Sequence, residues 1–296
     1  MAIAHPFDYV RPGTLDEVVS ILGERGDDAR LLAGGTDLIG WIADDQACPG
    51  LVVDLKGIAG LDVLVVEGGL LRLGALATFT DILHSDIVRA RLPLLWEAAR
   101  KVASRAIRNR ATLVGNICSG VPCCDSGPVL LACDAAVILH GPGGEEKMAV
   151  HDWFVGPKET ARKSDQLVTA VEIPLPPESH GGCFVKLGRY RGEDLAQASV
   201  AVLALPGRKY RVAFGAVAPT PVRGRSIEAY LDGNPITPDT IAGALGLVEK
   251  EIRPITDIRA SREYRMQMVR VMLKRGLQAA SERLAGAGPE YGTDLI

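Results

Sequence analysis

Two glycines stand between an apolar segment and a second segment with helical spacing, in the stretch LLAGGTDLIGWI at residues 31–42. A buried strand that ends on paired glycines has no Cβ atoms at the turn, so the backbone can bend tightly or lie close to another molecule. Thr36 and Asp37 follow at once and can begin a helix. The stretch therefore predicts either a simple tight turn or a loop whose bare backbone binds an anion.

Length, composition and charge narrow the class of protein. At 296 residues the chain exceeds the usual size of a single domain, so we expect two domains. Hydrophobic residues make up 47% and charged residues 23%, which is typical of a soluble globular protein. The net charge of −3, without a basic stripe, argues against nucleic acid as a partner. No apolar run approaches the roughly 18 residues that span a bilayer, and the first residues show no signal region, so we predict a cytoplasmic protein without a membrane span.

The cysteines and histidines give little support to a metal site. No cysteine pair has the C-x-x-C spacing of zinc or cluster ligands, and the five histidines show no metal spacing. Four cysteines fall within 16 residues, which leaves a redox or cluster role open, but we favour reduced, partly buried thiols. The six cysteines are Cys48, Cys118, Cys123, Cys124, Cys133 and Cys183.

The first part of the chain alternates between strand and helix patterns. Thr14 and Glu17 form a capping box, which predicts a helix from residue 15. Apolar runs and turn residues then predict strands at 29–33 and 51–55, a hairpin around 67–69, and helices around 79–85 and over 93–106. This alternation is typical of a layered arrangement of helices and sheets.

The last third of the chain follows a Pro-rich segment at 174–182, which we interpret as a domain linker. Two apolar strands flank the turn at 206–209 and predict an antiparallel pair. Thr237 followed by Pro238 predicts a helix start, and residues 261–284 predict a long amphipathic helix. The remaining residues are predicted to be loosely ordered. The predicted core face of the long helix consists of Tyr264, Met268, Val271, Met272 and Leu277.

Two glycine-bearing segments follow apolar stretches, the first glycine segment at 33–37 and the second glycine segment at 112–116. Glycines remove the Cβ atoms that would keep a phosphate away, and successive N–H groups can then point into one concavity. Thr36, Thr112 and Asn116 can add hydrogen bonds, each contributing about 1.5–3 kcal/mol to a charged acceptor. Neither segment is a Walker A or a Rossmann sequence. Singly, each is more often just a turn, but together they favour a pyrophosphate site.

Five motifs occur in an order that resembles one known family. They are FDYVRPGTLDE, LLAGGTDL, LGALATFTDI, IRNRATLVGN and KLGRYRGEDLA, and the resemblance runs from about residue 5 to about residue 284. The sequence resembles the FAD-binding, or medium, subunit of the molybdenum hydroxylases, the family of xanthine dehydrogenase and carbon monoxide dehydrogenase. The motifs are specific for this family and carry no information about the substrate.

The resemblance implies an α+β fold, in which a two-subdomain FAD-binding domain of the PCMH type is followed by a C-terminal antiparallel sheet with helices. The FAD-binding domain would cover residues 1–176, with subdomains of about 1–58 and 59–176. The C-terminal domain would cover residues 180–285, and residues 286–296 would form a tail.

The resemblance also implies which residues hold FAD. Ala103 would border the cofactor, Asp125 would lie near its ribityl and phosphate region, and Val168 would lie in the strand that passes the ring. Lys186 would lie beside the isoalloxazine, where an ammonium group raises the reduction potential. The pyrophosphate would be held by Arg30, Leu31, Leu32, Ala33, Gly34, Gly35, Thr36 and Asp37 in and before the first glycine segment, and by Thr112, Val114, Gly115 and Asn116 in the second.

Two features depart from the family pattern. Val114 stands where the family usually has the first of two glycines, so only Gly115 could adopt a positive φ without strain, and we expect the second glycine segment to bend differently. Cys123 and Cys124 flank Asp125 where the family tends to have small residues. Contact between these thiols and the cofactor therefore stays open beside simple packing.

By resemblance, the chain is an FAD-binding electron-transfer subunit of a heteromeric molybdenum hydroxylase. A large subunit with molybdopterin would oxidise the substrate, a small subunit with two [2Fe-2S] clusters would supply electrons, and the flavin would pass them to an external acceptor. A dimer of such heterotrimers is expected. Two alternatives stay open, a flavin-free structural subunit of such a complex and a stand-alone flavin oxidase. The sequence identifies neither substrate nor acceptor, and it offers no catalytic nucleophile or general base.

Overall fold

A computed structural model describes residues 3, 5–190 and 192–296 of the chain. Its first unit is a parallel sheet in the strand order β1-β3-β2. The elements are β1 (Asp8–Val10), α1 (Leu15–Arg25), β2 (Ala29–Leu32), α2 (Leu38–Ala43) and β3 (Leu51–Asp54). The predicted capping box of α1 is confirmed, because the Thr14 hydroxyl accepts a hydrogen bond from the Glu17 N–H group and the Glu17 side chain accepts from the Thr14 N–H group.

The second unit is a five-stranded antiparallel sheet in the order β4-β5-β10-β6-β7, with six helices between β5 and β6. Its strands are β4 (Leu64–Glu67), β5 (Leu70–Gly74), β6 (Ala136–Gly141), β7 (Gly144–Ala149) and β10 (Leu167–Pro174), and β8 (Phe154–Gly156) pairs with β9 (Glu159–Thr160). Its helices are α3 (Phe79–His84), α4 (Asp86–Arg91), α5 (Pro93–Lys101), α6 (Arg105–Arg108), α7 (Leu113–Cys118) and α8 (Ser126–Ala132). Helix α7 packs on β5 and β10, so its first turn lies over the middle of the sheet.

The prediction of one helix over 93–106 is wrong, since α5 ends at Lys101 and α6 starts at Arg105. Ala103 lies between them with φ +35°, which is in the left-handed region that a non-glycine residue rarely adopts. The Arg108 guanidinium holds this kink by donating hydrogen bonds to the Val102 oxygen at 2.7 Å and to the Ala103 oxygen at 2.8 Å. Both hydrogen bonds are local in sequence, and the Ser104 hydroxyl starts α6 by accepting a hydrogen bond from the Ile107 N–H group.

The third unit is a four-stranded antiparallel sheet in the order β11-β12-β13-β14 with three helices. The elements are β11 (Gly181–Leu187), β12 (Ala198–Leu205), β13 (Lys209–Gly215), β14 (Val222–Arg223), α9 (Arg225–Leu231), α10 (Pro238–Glu251) and α11 (Arg262–Leu284). The predicted antiparallel pair is confirmed as β12 and β13, and Thr237 caps α10 as predicted. The chain passes from the second sheet to the third between residues 174 and 181, although the division into domains stays a prediction.

Helix α11 packs on β11 and β12, but its inward face differs in part from the predicted one. Met272 and Leu277 are buried as predicted, whereas Tyr264 is 46% exposed. The buried face includes Arg265 and Arg283, and because these residues are charged, a hydrophobic pattern does not assign them to the buried face. Arg265 reaches the core because its guanidinium donates to the backbone oxygens of Gln197 and Ala216.

The second and third units are joined by charge pairs and by a packed helix. Helix α8 packs on β12, β13 and β14. Asp134, which follows α8, pairs with Arg211 at 2.8 Å and with Arg223 at 2.6 Å, and Arg223 also donates to the Leu131 oxygen at the end of α8. These contacts fix α8, whose first residues lie at the site described below.

The last eleven residues, 286–296, which we call the C-terminal segment, pack against the rest of the chain, so the prediction of loose order is wrong. Tyr291 accepts a hydrogen bond from Gly182, Gly292 donates one to Glu97, and Asp294 pairs with Lys101. Their partners lie on β11 and α5, far away in sequence, which is why the local composition did not reveal the contacts. Among the described residues, no helix is both long and apolar enough to cross a membrane.

Candidate functional site

A cavity of about 950 Å³ lies where the three units meet. Its walls come from the β2–α2 connection, the kink between α5 and α6, the first turn of α7, the start of α8, strand β11 and the loops after β13 and α10. Every predicted site residue except Leu32 contributes to these walls. They are Arg30, Leu31, Ala33, Gly34, Gly35, Thr36, Asp37, Ala103, Thr112, Val114, Gly115, Asn116, Asp125, Val168 and Lys186.

The first glycine segment connects β2 to α2 and lies directly against the residues before the second. An ideal Cβ atom on Gly34 would lie 1.9 Å from the Arg110 carbonyl oxygen, so only glycine permits this approach. The glycine at position 34 is therefore required by the neighbouring backbone. Gly35 adopts φ +80°, and a Cβ atom there would lie 3.0 Å from the Leu32 side chain, which packs beneath the turn.

The second glycine segment is a helix start rather than the bent loop that the sequence suggested. Thr112 is the N-cap of α7, and its hydroxyl oxygen accepts a hydrogen bond from the Gly115 N–H group at 2.9 Å. Val114 and Gly115 lie inside the helix, and neither adopts a positive φ. The expected strain at Val114 is therefore absent, because a helical position accepts any residue with a Cβ atom.

Several backbone N–H groups of the two segments are free to bind a ligand. Within the part of the chain that the structure describes, no protein oxygen accepts a hydrogen bond from the N–H groups of residues 34–38 or of Val114. N–H groups in a glycine turn or in the first turn of a helix that have no protein partner are donors that an anion can bind. Because both groups of donors line one cavity, they fit a ligand with several closely spaced acceptor oxygens.

Asn116 links this part of the cavity to α8. Its side-chain oxygen accepts hydrogen bonds from the backbone N–H group and the hydroxyl of Ser126, the first residue of α8. This arrangement fixes the start of α8 next to the first turn of α7. Asp125, which directly precedes Ser126, is thereby held at the cavity wall.

Asp125 and Lys186 form a buried ion pair in the cavity wall. The Lys186 ammonium donates to Asp125 Oδ2 at 2.7 Å and to the Lys101 carbonyl oxygen at 2.8 Å, and the two charged side chains are only 6% and 8% exposed. Asp125 Oδ1 is buried and has no hydrogen-bond partner among residues 3, 5–190 and 192–296. Burial raises the pKa of Asp125 to about 6, although the Lys186 charge opposes this effect. The free oxygen is therefore available to a ligand donor.

The pKa of Asp125 predicts a pH dependence of stability. Between about pH 4 and pH 6 the unfolded carboxyl group loses its proton while the folded one retains it, so the unfolding free energy falls as pH rises, by up to roughly 3 kcal/mol. The Asp125→Asn variant lacks this titration. Urea unfolding of both proteins from pH 4 to pH 7.5 should show the wild type losing stability relative to the variant up to about pH 6, with a constant difference above it. A constant difference over the whole range would contradict the raised pKa.

Several cavity residues carried no signal in the sequence. Trp41 lies at the wall, with the Lys158 ammonium 5.4 Å from its ring centroid. Ala216, which follows β13 and also lines the cavity, adopts φ +62°. Arg259 and Arg265, from the region of α11, also line the cavity. A lone tryptophan or a left-handed alanine has no distinctive spacing, so only the tertiary structure brings these residues to the site.

Three cysteines line the cavity, Cys118, Cys123 and Cys124. The Cys118 side chain is exposed to the cavity while protein surrounds it, and burial raises its pKa to about 12. Burial also raises the pKa of Cys123 and of Cys124. These groups are therefore protonated thiols at neutral pH, and a thiol is a poor nucleophile and metal ligand.

The cavity defines a class of protein. Free backbone N–H groups on two convergent segments, a buried unpartnered carboxylate oxygen and a volume of about 950 Å³ fit a long cofactor with a pyrophosphate bridge. Such a cofactor is a dinucleotide, held here by segments that are neither a Rossmann nor a Walker A motif.

Comparisons with known proteins identify the family. The family model of the FAD-binding domain in molybdopterin dehydrogenase matches residues 5–176. The family model of the CO dehydrogenase flavoprotein C-terminal domain matches residues 184–280. The chain is 35% identical to the carbon monoxide dehydrogenase medium chain of Afipia carboxidovorans, over 94% of this chain and 97% of that one. It is 31% identical to the xanthine dehydrogenase FAD-binding subunit of Escherichia coli O157:H7, over 95% and 97%.

A solved structure agrees with this result. The carbon monoxide dehydrogenase of Hydrogenophaga pseudoflava that lacks the Mo-pyranopterin moiety superposes with a TM-score of 0.92 at 33% identity, over 96% of this chain and 99% of that chain. The chain belongs to the FAD-binding subunits of the molybdopterin dehydrogenases. It is an oxidoreductase subunit whose cofactor is FAD. The predicted family and the α+β fold, an FAD-binding domain followed by an antiparallel sheet with helices, are confirmed.

Proposed function

We propose that the chain is the electron-transfer subunit of a heteromeric, cytoplasmic molybdenum hydroxylase. In this proposal a large subunit carries molybdopterin and oxidises the substrate, and a small subunit carries two [2Fe-2S] clusters. The chain receives electrons from those clusters and delivers them to an external acceptor, within a dimer of heterotrimers. The observation that carries the proposal is the convergence of the two glycine segments on one cavity, in a chain that covers 97% of a carbon monoxide dehydrogenase medium chain.

The residues of the cavity have distinct roles in this proposal. The free N–H groups of residues 34–38 and of Val114 hold the pyrophosphate, and the Thr112 hydroxyl, whose oxygen caps α7, has a proton left to donate. Asp125 Oδ1 accepts a hydrogen bond from the cofactor. Flavin supplies the ability to exchange electrons singly or in pairs, and the protein sets its position and potential. In this proposal Ala103 borders the cofactor, Val168 and Lys186 lie at the ring, and the residues from Arg30 onward that precede the first segment lie on the pyrophosphate side of the same cavity.

The two rival functions receive less support. A flavin-free subunit would be favoured if the departure from the family pattern at Val114 blocked the cofactor site, but Val114 lies unstrained inside α7 and does not close the cavity. A stand-alone oxidase needs a base beside the flavin to take a substrate proton. Among the described residues that line the cavity, Asp125 is the buried carboxylate; one of its oxygens pairs with Lys186, and this proposal assigns the other to a hydrogen bond with the cofactor.

Purification of the complex from its native host tests the proposal. The chain, carrying an affinity tag, is expected to copurify with two other subunits, one FAD per chain, iron and molybdenum. Light scattering should give the mass of two heterotrimers. A chain that purifies alone and is bleached by a small substrate would identify a stand-alone oxidase, and an intact complex that never contains FAD would identify a structural subunit.

A further inference from the structure

The outer edge of strand β11 is covered by residues that lie outside its sheet. β11 pairs with β12 along one edge only. On the other edge the Gly182 N–H group donates to the Tyr291 hydroxyl at 3.0 Å, and the Phe184 N–H group donates to Glu97 Oε2 at 3.0 Å. The C-terminal segment and α5 therefore satisfy the edge of the strand that carries Lys186.

Glu97 connects the C-terminal segment to the protein core. Its carboxylate is 5% exposed and accepts hydrogen bonds from the Gly292 N–H group at 2.8 Å and from Arg283 Nη2 at 2.9 Å. Arg283 donates in turn to the backbone oxygens of Pro289 at 2.9 Å and Glu290 at 3.0 Å. A buried ion pair is stable only while its surrounding hydrogen bonds are complete, so this cluster depends on the C-terminal segment.

Lys101 connects the C-terminal segment to the cavity wall. It is the last residue of α5, its ammonium pairs with Asp294 of the C-terminal segment, and its carbonyl oxygen accepts the 2.8 Å hydrogen bond from Lys186. The ammonium of Lys186 thus has two anchors, the Asp125 carboxylate and the Lys101 carbonyl oxygen. The C-terminal segment therefore contacts both the residue that provides the second anchor and the strand that carries Lys186.

We infer that the C-terminal segment positions Lys186 at the flavin, through Tyr291, Gly292 and Asp294. This inference rests on the proposed function, because it requires Lys186 to lie beside the isoalloxazine ring. The matched family models end at residue 280, so the segment lies outside both. When the segment is released, Lys101 and the edge of β11 relax, and the Lys186 charge is no longer fixed next to the ring. The flavin potential then becomes more negative, and FAD is held more weakly.

The double variant Tyr291→Phe, Asp294→Asn tests this inference in the purified complex. Both changes nearly preserve volume, and they remove the hydroxyl beside Gly182 and the charge beside Lys101. We expect the flavin midpoint potential to shift to more negative values, in the direction produced by Lys186→Met but by less. We also expect the dissociation constant for FAD to rise about tenfold, which corresponds to about 1.4 kcal/mol.

A second pair of variants tests the same point through the backbone. Gly292 adopts φ +92°, and a Cβ atom there would lie 1.6 Å from the far end of the Arg100 side chain, which can swing aside, and 3.3 Å from the Trp96 ring. A hydrogen bond to the Leu83 oxygen holds the Trp96 ring in place, so Gly292→Ala should displace the segment by a few tenths of an ångström. Gly286 is the matched control, because it has φ +76° in the same segment but no atom within 4 Å of its Cβ position. Gly286→Ala therefore adds similar backbone strain without a collision and should leave the potential unchanged.

The outcomes separate this inference from the proposed function. If Lys186→Met shifts the potential while the double variant only lowers the unfolding midpoint, the segment has a structural role alone and the inference is wrong. If Lys186→Met itself leaves the flavin potential unchanged, Lys186 does not lie at the flavin. Both the inference and the proposed position of Lys186 beside the ring are then wrong. Matching shifts in Lys186→Met, Gly292→Ala and the double variant, with none in Gly286→Ala, support it.

Discussion

Replacing Gly34 with alanine is expected to remove most of the bound FAD. The added methyl group would lie 1.9 Å from the Arg110 oxygen and 2.7 Å from its carbonyl carbon, and backbone cannot move aside as a flexible side chain can. Overpacking of this kind costs about 1–3 kcal/mol. Because Arg110 leads directly into Thr112, the displacement opens the gap between the two glycine segments. We therefore expect FAD affinity to fall by about 10- to 100-fold, measured from the flavin absorbance after dialysis and from titration of the flavin-free protein.

Gly40 offers a matched control for this result. It lies inside α2, only six residues further along, and no atom lies within 4 Å of the position of its Cβ. Gly40→Ala should keep a full complement of FAD and gain up to about 1 kcal/mol of helix stability. Stoichiometric FAD in Gly34→Ala would show that the contact between the two segments is unimportant for binding. Equal losses in both variants would point to α2 rather than to the convergence of the segments.

Replacing Lys186 with methionine should have two separate effects. The variant leaves the Asp125 carboxylate, which is 8% exposed, without its charged partner, and an uncompensated buried charge costs about 3–5 kcal/mol. Protonation of Asp125, whose pKa is already raised to about 6, limits this loss at low pH. In the FAD-bound protein, removal of the positive charge should lower the flavin potential, because an ammonium beside the ring stabilises the reduced, negatively charged form. The measurements are urea unfolding and potentiometric titration.

The double variant Lys186→Met, Asp125→Asn separates the two effects. It removes both charges, so it should regain most of the lost stability, while its flavin potential should stay below that of the wild type. If Lys186→Met alone is as stable as the wild type, the buried pair of Lys186 and Asp125 is contradicted. If the flavin potential of Lys186→Met is unchanged, Lys186 does not lie near the flavin.

Local signals in the sequence predicted much of the fold. Thr14 and Thr237 marked the starts of α1 and α10 because N-cap chemistry involves only residues three positions apart. The paired glycines at 34 and 35 marked the end of β2 because glycine is a local turn signal. The candidate site residues came from the family resemblance. The structure places all of them except Leu32 at the wall of one cavity.

Features that depend on distant partners could not be predicted in this way. The need for glycine at position 34 comes from the carbonyl group of Arg110, which is far away in sequence. The pairing of Lys186 with Asp125 joins positions 61 residues apart. The inward face of α11 contains Arg265, which a hydrophobic pattern assigns to the solvent side. In each case a tertiary contact outweighs the local preference.

A crystal structure of the chain with bound FAD tests the central claim most directly. The diphosphate should lie between the two glycine segments, with its oxygens about 2.7–3.2 Å from N–H groups of residues 34–38 and of Val114. The isoalloxazine ring should then lie beside Lys186, with the ribityl and phosphate region near Asp125. A diphosphate bound elsewhere in the cavity or outside it, with these N–H groups still free, would contradict the account.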